Sequence, residues 1–328
     1  MHKNTVCKWA AALAMVTAQA GVAQAAESFP NKPLRLIVGF VPGGGTDVSA
    51  RLLAQKLSEE LGQQVVVENK PGASGLIAAD SVSKADPDGY TLLLANMQST
   101  VAAPYVLPVS FDPLKGFTAV RYLGSVPNVL VVNPGKNDVT TVSQLLEKIR
   151  AKPGTFTYAS SGMGSPQHLS AARFSKITNV QMEHVPYKGS GQAVADLLGG
   201  QVDMNFDTLP GTIGQVNSGK LRALAVTSNT RSDRVPNVPT LAEAGVKGMD
   251  VEQWYAVLGP ANIPPATLKR LDQAIDASLR DPTVAAKLAD QGMTLGGGPK
   301  TPEAFSKFLA DEYKKYGAIT SDLGMTKP

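Results

Sequence analysis

The sequence predicts an α/β protein of two domains, with mixed, mostly parallel sheets that carry helices on both faces. Three observations predict it. From Phe29 onward, short apolar runs alternate with stretches of helical period. Several strand-to-helix junctions are short and rich in glycine, serine and threonine. At 328 residues, the chain is long enough for two hydrophobic cores. Charged residues make up 18% and apolar ones 43%, a soluble globular balance that excludes a disordered or membrane-embedded chain.

The first 26 residues read as a secretory signal rather than as part of the fold. Lys3 and Lys8 give a basic start, Trp9 to Val16 a short apolar run, and Ala23-Gln24-Ala25 a small-x-small cleavage site. That run falls well short of the roughly 20 apolar residues of a membrane span. Its removal takes away Cys7, the single cysteine, so neither disulfides nor thiol chemistry is available to the mature chain. Basic residues fall from 31 to 29 against 27 acidic ones, so the formal net charge drops from +4 to about +2. So small and dispersed a charge gives no basis for nucleic-acid binding. An exported, cysteine-free chain of this size points to the bacterial periplasm.

The elements follow in order. Leu34 to Phe40 is a strand, and Val48 to Leu61 a helix with Leu53, Leu57 and Leu61 on one face and Gly62 as its stop. Val65 to Val67 is the next strand, then a short helix from Ser74 to Lys84 and a strand from Tyr90 to Ala95. This order implies parallel strands with right-handed crossovers. A second unit opens near Pro127 with the strand Val129 to Val132, then the helix Val142 to Arg150 and the strand Thr155 to Ala159. Ser165 stands as N-cap and Pro166 at the first position of the helix after it. Val180 to Val185, Val202 to Phe206 and Leu221 to Thr227 are strands, with a helix over Gln192 to Leu198. Trp254 to Leu258 is a strand, followed by helical patterns over Pro265–Leu279, Thr283–Gln291 and Pro302–Tyr316. Connecting segments near Gly124-Ser125-Val126 and Asp250 to Gln253 divide the chain into 27–125 plus 251–328 and an inserted 126–250.

In open parallel sheets, ligands bind beyond the carboxyl ends of the strands. Four loops there carry small, donor-rich residues: Pro42 to Asp47, Asn96 to Thr100, Ser160 to Ser165, and Lys188 to Gly191. The first, Phe40-Val41-Pro42-Gly43-Gly44-Gly45-Thr46-Asp47, joins a strand to a helix. Its three glycines leave the amides open to close approach, with Thr46 or Asp47 as the helix cap. Strand, glycine turn and helix start together favour an anion. The same glycines are equally compatible with a bare tight turn. The loop lacks the Gly-Lys-Ser/Thr of a Walker motif, and Val48 breaks a Gly-x-Gly-x-x-Gly pattern. Lys188 is either a carboxylate partner or a solvated side chain, Asp207 either a receiver for a ligand amine or hydroxyl or a cap, and Trp254 either hinge or core packing or a ring that stacks on the ligand.

An opposing reading is a hydrolase. Gly72-Ala73-Ser74-Gly75 lacks the Gly-x-Ser-x-Gly spacing of a nucleophile elbow. Only His168 and His184 survive signal removal, and neither stands at a metal-ligand spacing. The chain is therefore expected to be no enzyme and to need no metal or cofactor.

Taken in order, these residues resemble the Bug-type periplasmic solute receptors of the tripartite tricarboxylate transporters, from about Pro30 to Gly317. The resemblance is carried by Pro33-Leu34-Arg35-Leu36-Ile37-Val38, Pro42-Gly43-Gly44-Gly45-Thr46-Asp47, Val66-Val67-Glu68-Asn69-Lys70-Pro71-Gly72-Ala73 and Pro87-Asp88-Gly89-Tyr90-Thr91-Leu92. Further on it rests on Tyr187-Lys188-Gly189, Asp196 to Asp203, Leu221 to Thr227 and Pro239 to Gly245. It implies a two-domain periplasmic binding protein of the flytrap kind, type II, that closes on an organic carboxylate. It places one carboxylate at Pro42, Gly43, Gly44, Thr46 and Asp47, beside Phe40, with facing contacts at Ser160, Ser161, Gly162, Tyr187, Lys188, Gly189 and Asp207. Two departures stand out. Gly39-Phe40 replaces the commoner Pro-Phe, and Asn96-Met97-Gln98, running on to Ser99, replaces a smaller loop, so that Met97 and Gln98 intrude on the distal end of the cleft. The resemblance implies membrane transporter subunits as partners, with a membrane sensor kinase as the alternative, and a monomer that binds no nucleic acid.

Overall fold

The computed structural model describes residues 29–249 and 251–327. The segment read as a signal, 1–26, lies outside the described residues, as does Asp250. In chain order the elements are β1 (Leu34–Val38), α1 (Gly45–Leu61), β2 (Val65–Asn69), α2 (Leu76–Ser83) and β3 (Thr91–Asn96). A π-helical turn over Gln98–Ala102 leads into α3 (Ala103–Val106), and β4 (Phe117–Val126) and β5 (Asn128–Val132) follow. Then come α4 (Val142–Ala151), β6 (Phe156–Ser160), α5 (Pro166–Thr178), β7 (Met182–Pro186), α6 (Ser190–Leu198), β8 (Met204–Thr208), α7 (Leu209–Asn217) and β9 (Arg222–Val226). The chain closes with β10 (Gln253–Pro260), α8 (Pro265–Arg280), α9 (Pro282–Asp290), β11 (Thr294–Leu295) and α10 (Pro302–Asp322).

The strands form two mixed sheets, ordered β11-β4-β10-β3-β1-β2 and β7-β6-β8-β5-β9. β1 is parallel to β2 and β3, as the strand–helix alternation there requires. β10 enters the first sheet antiparallel to β3 and β4, and β5 the second antiparallel to β8 and β9. Strand β4 continues through Gly124-Ser125 to Val126, and two residues later Asn128 already pairs in the other sheet. Gln253, where the chain returns, lies opposite Val126, so both crossings leave the first sheet side by side.

The inner strands β3, β5 and β10 are buried on both faces, and β3 and β5 read as nearly continuous apolar runs. In β1, Leu34, Leu36 and Val38 pack with Leu53 and Leu57 of α1 on one face, while Ile37 packs with Ala78 and Val82 of α2 on the other. Leu92 and Leu94 of β3 join the first cluster, Leu93 and Ala95 the second. The period-2 alternation of strand side chains splits one apolar run between two cores. Trp254 is core: it packs against Phe305 and Phe308, and its indole N–H donates to Glu312 Oε2 at 2.8 Å. Strand β4 carries no clean apolar pattern because Arg121 sits in it, bonded to Asp272 Oδ1 (2.9 Å), Asp276 and the Lys300 carbonyl. Among the described residues, no helix is long and apolar enough to cross a membrane.

Candidate functional site

Between the two sheets lies a cavity of about 470 Å³. Four helices start at its wall: α1 at Gly44-Gly45, α5 at Pro166-Gln167, α6 at Gly189-Ser190-Gly191, and α7 at Thr208-Pro210-Gly211. No lining side chain is charged. Three of the four starts, at Gly44, Gly189 and Thr208, have no side chain accepting from the first-turn amides. At Gly44 and Gly189 the first-turn N–H groups lie at the cavity wall without an acceptor, whereas after Thr208 the Leu209 N–H donates to the Pro127 carbonyl (3.1 Å) and Pro210 has no N–H, which leaves Gly211 N–H there. The helix dipoles add positive potential at the same place.

The loop after β1 is shaped by its own contacts. Gly43 sits at φ 85°, a backbone region glycine adopts freely. α1 begins at Gly45, three residues earlier than the apolar pattern predicts, with Gly44 as its N-cap. This corrects the expected cap. Thr46 and Asp47 lie inside the first turn, and Asp47 turns away from the cavity to bind Gly43 N–H (2.9 Å), Arg51 Nε (2.9 Å) and Asn69 Nδ2 (2.8 Å). Burial raises the Asp47 pKa, but the bonds from Arg51, Gly43 and Asn69 outweigh it and leave the carboxyl below its usual range. Asn69 also donates to the Phe40 carbonyl at 3.0 Å, which pins the loop from below.

The second lobe is organised by Asp207 at the end of β8. It is fully buried and lines neither this cavity nor its neighbour. Its oxygens accept from Ser190 Oγ (2.6 Å), Thr208 N (2.7 Å), Asn205 Nδ2 (3.1 Å) and Gln167 Nε2 (3.2 Å). Burial pushes its pKa up, and the bonds from Ser190, Thr208 and Gln167 pull it partly back. Three of those four donors belong to residues that line the cavity, so Asp207 sets the starts of α5, α6 and α7 relative to one another. Gln167 in turn accepts from Ser161 Oγ at 3.0 Å. On the facing side, Asn96 Nδ2 donates to Thr46 Oγ1 (3.3 Å), and Thr46 and Gln253 hydrogen-bond the Tyr255 hydroxyl.

Of the residues singled out in the sequence, Phe40, Pro42, Gly43, Gly44, Thr46, Gln98, Ser161 and Gly189 line this cavity. Gly162, Tyr187 and Lys188 line an adjoining cavity of about 450 Å³ that shares Phe40, Val41 and Ser161 as its wall. At its edge the lobes touch directly, where Ser74 Oγ donates to the Met163 carbonyl at 2.8 Å. Five expectations do not reach the cavity surface, Asp47 among them. Met97 is wholly buried in the core beside Leu93, Val101 and Trp254, because the π-helical turn directs it inward. Ser99 bonds back to Asn96 Oδ1 through its N–H (3.0 Å) and hydroxyl (3.1 Å). Ser160 and Asp207 are interior.

Ser160 Oγ lies 2.6 Å from His184 Nε2, a serine–histidine contact of the kind a hydrolase uses. The serine is fully buried and lines neither cavity, so the contact is structural. His184 stacks on His168, with ring centroids 4.1 Å apart, and His168 Nδ1 accepts from Gly164 N–H at 3.2 Å. Burial lowers His168 to about 3, with His184 beside it adding to the effect, and burial lowers His184 to about 4. Both rings are neutral at pH 7 and brace the Ser160–Gly164 loop.

Ser190, within the loop Lys188 to Gly191 read from the sequence, also lines the cavity, as do Pro166, Gln167, Thr208, Pro210, Gly211, Gln253, Tyr255 and Gln291, which sequence reasoning missed as site residues. Thr208-Leu209-Pro210 does carry a signal, a strand end followed by proline in a first helical turn, the same pattern read at Ser165-Pro166. Gln253 and Tyr255 carry none, because an antiparallel strand from the far end of the chain delivers them.

Two lobes with helix starts gathered around an intervening cavity define a solute-binding protein of α/β type. The model of the tripartite tricarboxylate transporter family receptor matches residues 49–325, and the chain belongs to that family. It is 37% identical over 320 residues to protein BugT of Bordetella pertussis, covering 96% of this chain and 97% of that one. Among solved structures, a periplasmic transporter superposes with a TM-score of 0.86 at 40% identity, covering 91% of this chain and 99% of that one. A protein of R. palustris solved with adipate gives 0.86 at 34% identity, with the same coverage.

Proposed function

We propose that this protein is an exported periplasmic receptor that captures an organic carboxylate between its lobes and delivers it to the membrane subunits of a tripartite transporter. The lobes, 27–125 with 251–328 and the inserted 126–250, close about the paired ends of β4 and β10. The carboxylate sits against the amides at Gly44 and Gly189, beside Gly43, whose own N–H is held by Asp47, with hydroxyl or amide contacts from Thr46, Gln98 and Ser161 and apolar walls from Phe40 and Pro42. Gly162, Tyr187 and Lys188 receive what extends into the adjoining cavity, while Met97, Ser99, Ser160, Asp47 and Asp207 support the walls. Nothing is done to the ligand chemically. The observation that carries this reading is the convergence of four helix starts, three uncapped, on one cavity without a charged side chain.

Hydrogen bonds to a charged group contribute roughly 1.5–3 kcal/mol each, so four to six reach micromolar affinity, about 8 kcal/mol, after association costs. No arginine is needed. A thermal-shift screen of organic acids and their uncharged amides, on protein refolded to strip carried-over ligand, tests this. Saturation at about 100 times Kd adds about 2.7 kcal/mol, a shift of several degrees. At least one acid should stabilise while its fully amidated counterpart does not. A response confined to sugars or metal cations overturns the proposal.

A further inference from the structure

Two side chains in the cavity wall have polar atoms that the protein leaves unpaired. Gln98 is 2% exposed, and its Nε2 has no hydrogen-bond partner. Gln253 is 4% exposed, and its Oε1 has none. Gln253 lies on β10 two residues before Tyr255, which pairs with Asn96 of β3, and Gln98 opens the π-helical turn two residues after Asn96. Both line the cavity. Buried amide groups in native proteins find partners, so an open donor and an open acceptor in one cavity wall are a place for a ligand group to complete.

The surroundings decide what kind of group that is. With no cation in the lining, a second carboxylate would lose its hydration and gain no counter-charge. A ligand ammonium fares no better. The oxygens of Asp207 are taken by Ser190, Thr208, Asn205 and Gln167, and those of Asp47 by Arg51, Asn69 and Gly43. A neutral group that both accepts and donates matches the two glutamines without either penalty.

We propose that Gln98 and Gln253 are specificity residues that read a neutral hydroxyl or carboxamide, and that the ligand is a monocarboxylate carrying such a group. This rests on the carboxylate reading above. The test is calorimetric titration of refolded protein with matched four-, five- and six-carbon series: the alkanoate, the dicarboxylate and the dicarboxylate's monoamide. In at least one series the monoamide should bind about tenfold or more tightly than the alkanoate and the dicarboxylate. Gln98→Met, or Gln253→Met as the second variant, should bring the monoamide-to-alkanoate ratio to within about twofold of one. Equal binding of all three acids by unaltered protein overturns the glutamine assignment and leaves the carboxylate reading standing. So does tightest binding of the dicarboxylate, which would point to Lys188 in the adjoining cavity as a counter-charge. A ratio unmoved in both variants overturns it as well. No binding by any of the acids overturns the carboxylate reading and this inference with it.

Discussion

Helices of this protein begin in two different ways, with a side-chain cap or without one. Away from the cleft, Thr141 accepts from Gln144 N–H, Asp281 from Thr283 and Val284 N–H, and Thr301 from Ala304 N–H. At the cleft, Gly44, Gly189 and Thr208 provide no such acceptor. Thr208 is the instructive one, because threonine caps α4 and α10. At Thr208 the neighbouring Asp207 takes the residue's own N–H and draws its hydroxyl, so no side chain caps α7, and Leu209 N–H donates to the Pro127 carbonyl instead. Four helices depart from the pattern: Ser165 caps α5 at the cleft, while α2 after Gly75, α3 after Ala102 and α8 after Pro264 are uncapped and start outside the cavity. A cap satisfies amides and stabilises the helix by about 1 kcal/mol; its absence beside a cavity leaves those amides for an anion.

The comparison breaks most directly at Gly44. A Cβ there meets only the Val41 carbonyl, at 3.8 Å, and φ is −79°, so Gly44→Leu fits the fold while its side chain enters the cavity. Affinity for the carboxylate found in the thermal-shift screen should fall roughly 100-fold, about 2.7 kcal/mol, with the melting temperature of the free protein within a few degrees of the original. Unchanged affinity in calorimetry would remove α1 from the site.

The histidine pair behind the Ser160–Gly164 loop gives the next effect. Both folded-state pKa values, about 3 and about 4, lie below the usual 6.5. Their contribution is full above pH 6.5 and is lost as pH falls toward 4, because only the unfolded chain then takes up the protons. Stability in urea should drop by at least about 2 kcal/mol between pH 7 and pH 5, and His184→Gln should flatten that slope. A slope unchanged in the variant would show that other groups set it.

Thr141→Ala, at a start far from the cleft, should lower stability by about 1 kcal/mol with binding unaltered, which separates the two kinds of helix start. The smallest expected effect is on pH dependence of binding. Burial raises Tyr255 to about 12, and the lining holds no group that titrates near neutrality. Affinity for a carboxylate should therefore stay within about twofold between pH 6 and pH 8. A rise toward pH 6 would implicate a histidine.

Much of the architecture was legible because its determinants are local. Leu53, Leu57 and Leu61 mark the buried stripe of α1 whatever it packs against, and Gly62 ends that helix in the left-handed conformation. Ser165-Pro166 marks the start of α5 as read. Strand β4 was not legible, since Arg121 and Ser125 interrupt its apolar run and only the carboxylates of α8 make the arginine acceptable there. Gln98 and Met97 show the same limit inside the candidate site: neighbours in sequence, one faces the cavity and the other the core, because a π-helical turn separates their directions.

The sequence by itself determined the alternation of strands and helices, the glycine turn before α1 and the small residues at the strand ends. Each depends on backbone freedom or periodicity within a few residues. Tertiary structure alone decided that Asp207 would be an interior anchor rather than a contact, and that Lys188 would stand in the neighbouring chamber. It also decided that Gln253 and Tyr255, more than 150 residues beyond Asn96 in the chain, would complete the wall. The reason is physical: burial and hydrogen-bond partners are set by what folds against a residue, and strand β10 comes from the far end of the chain.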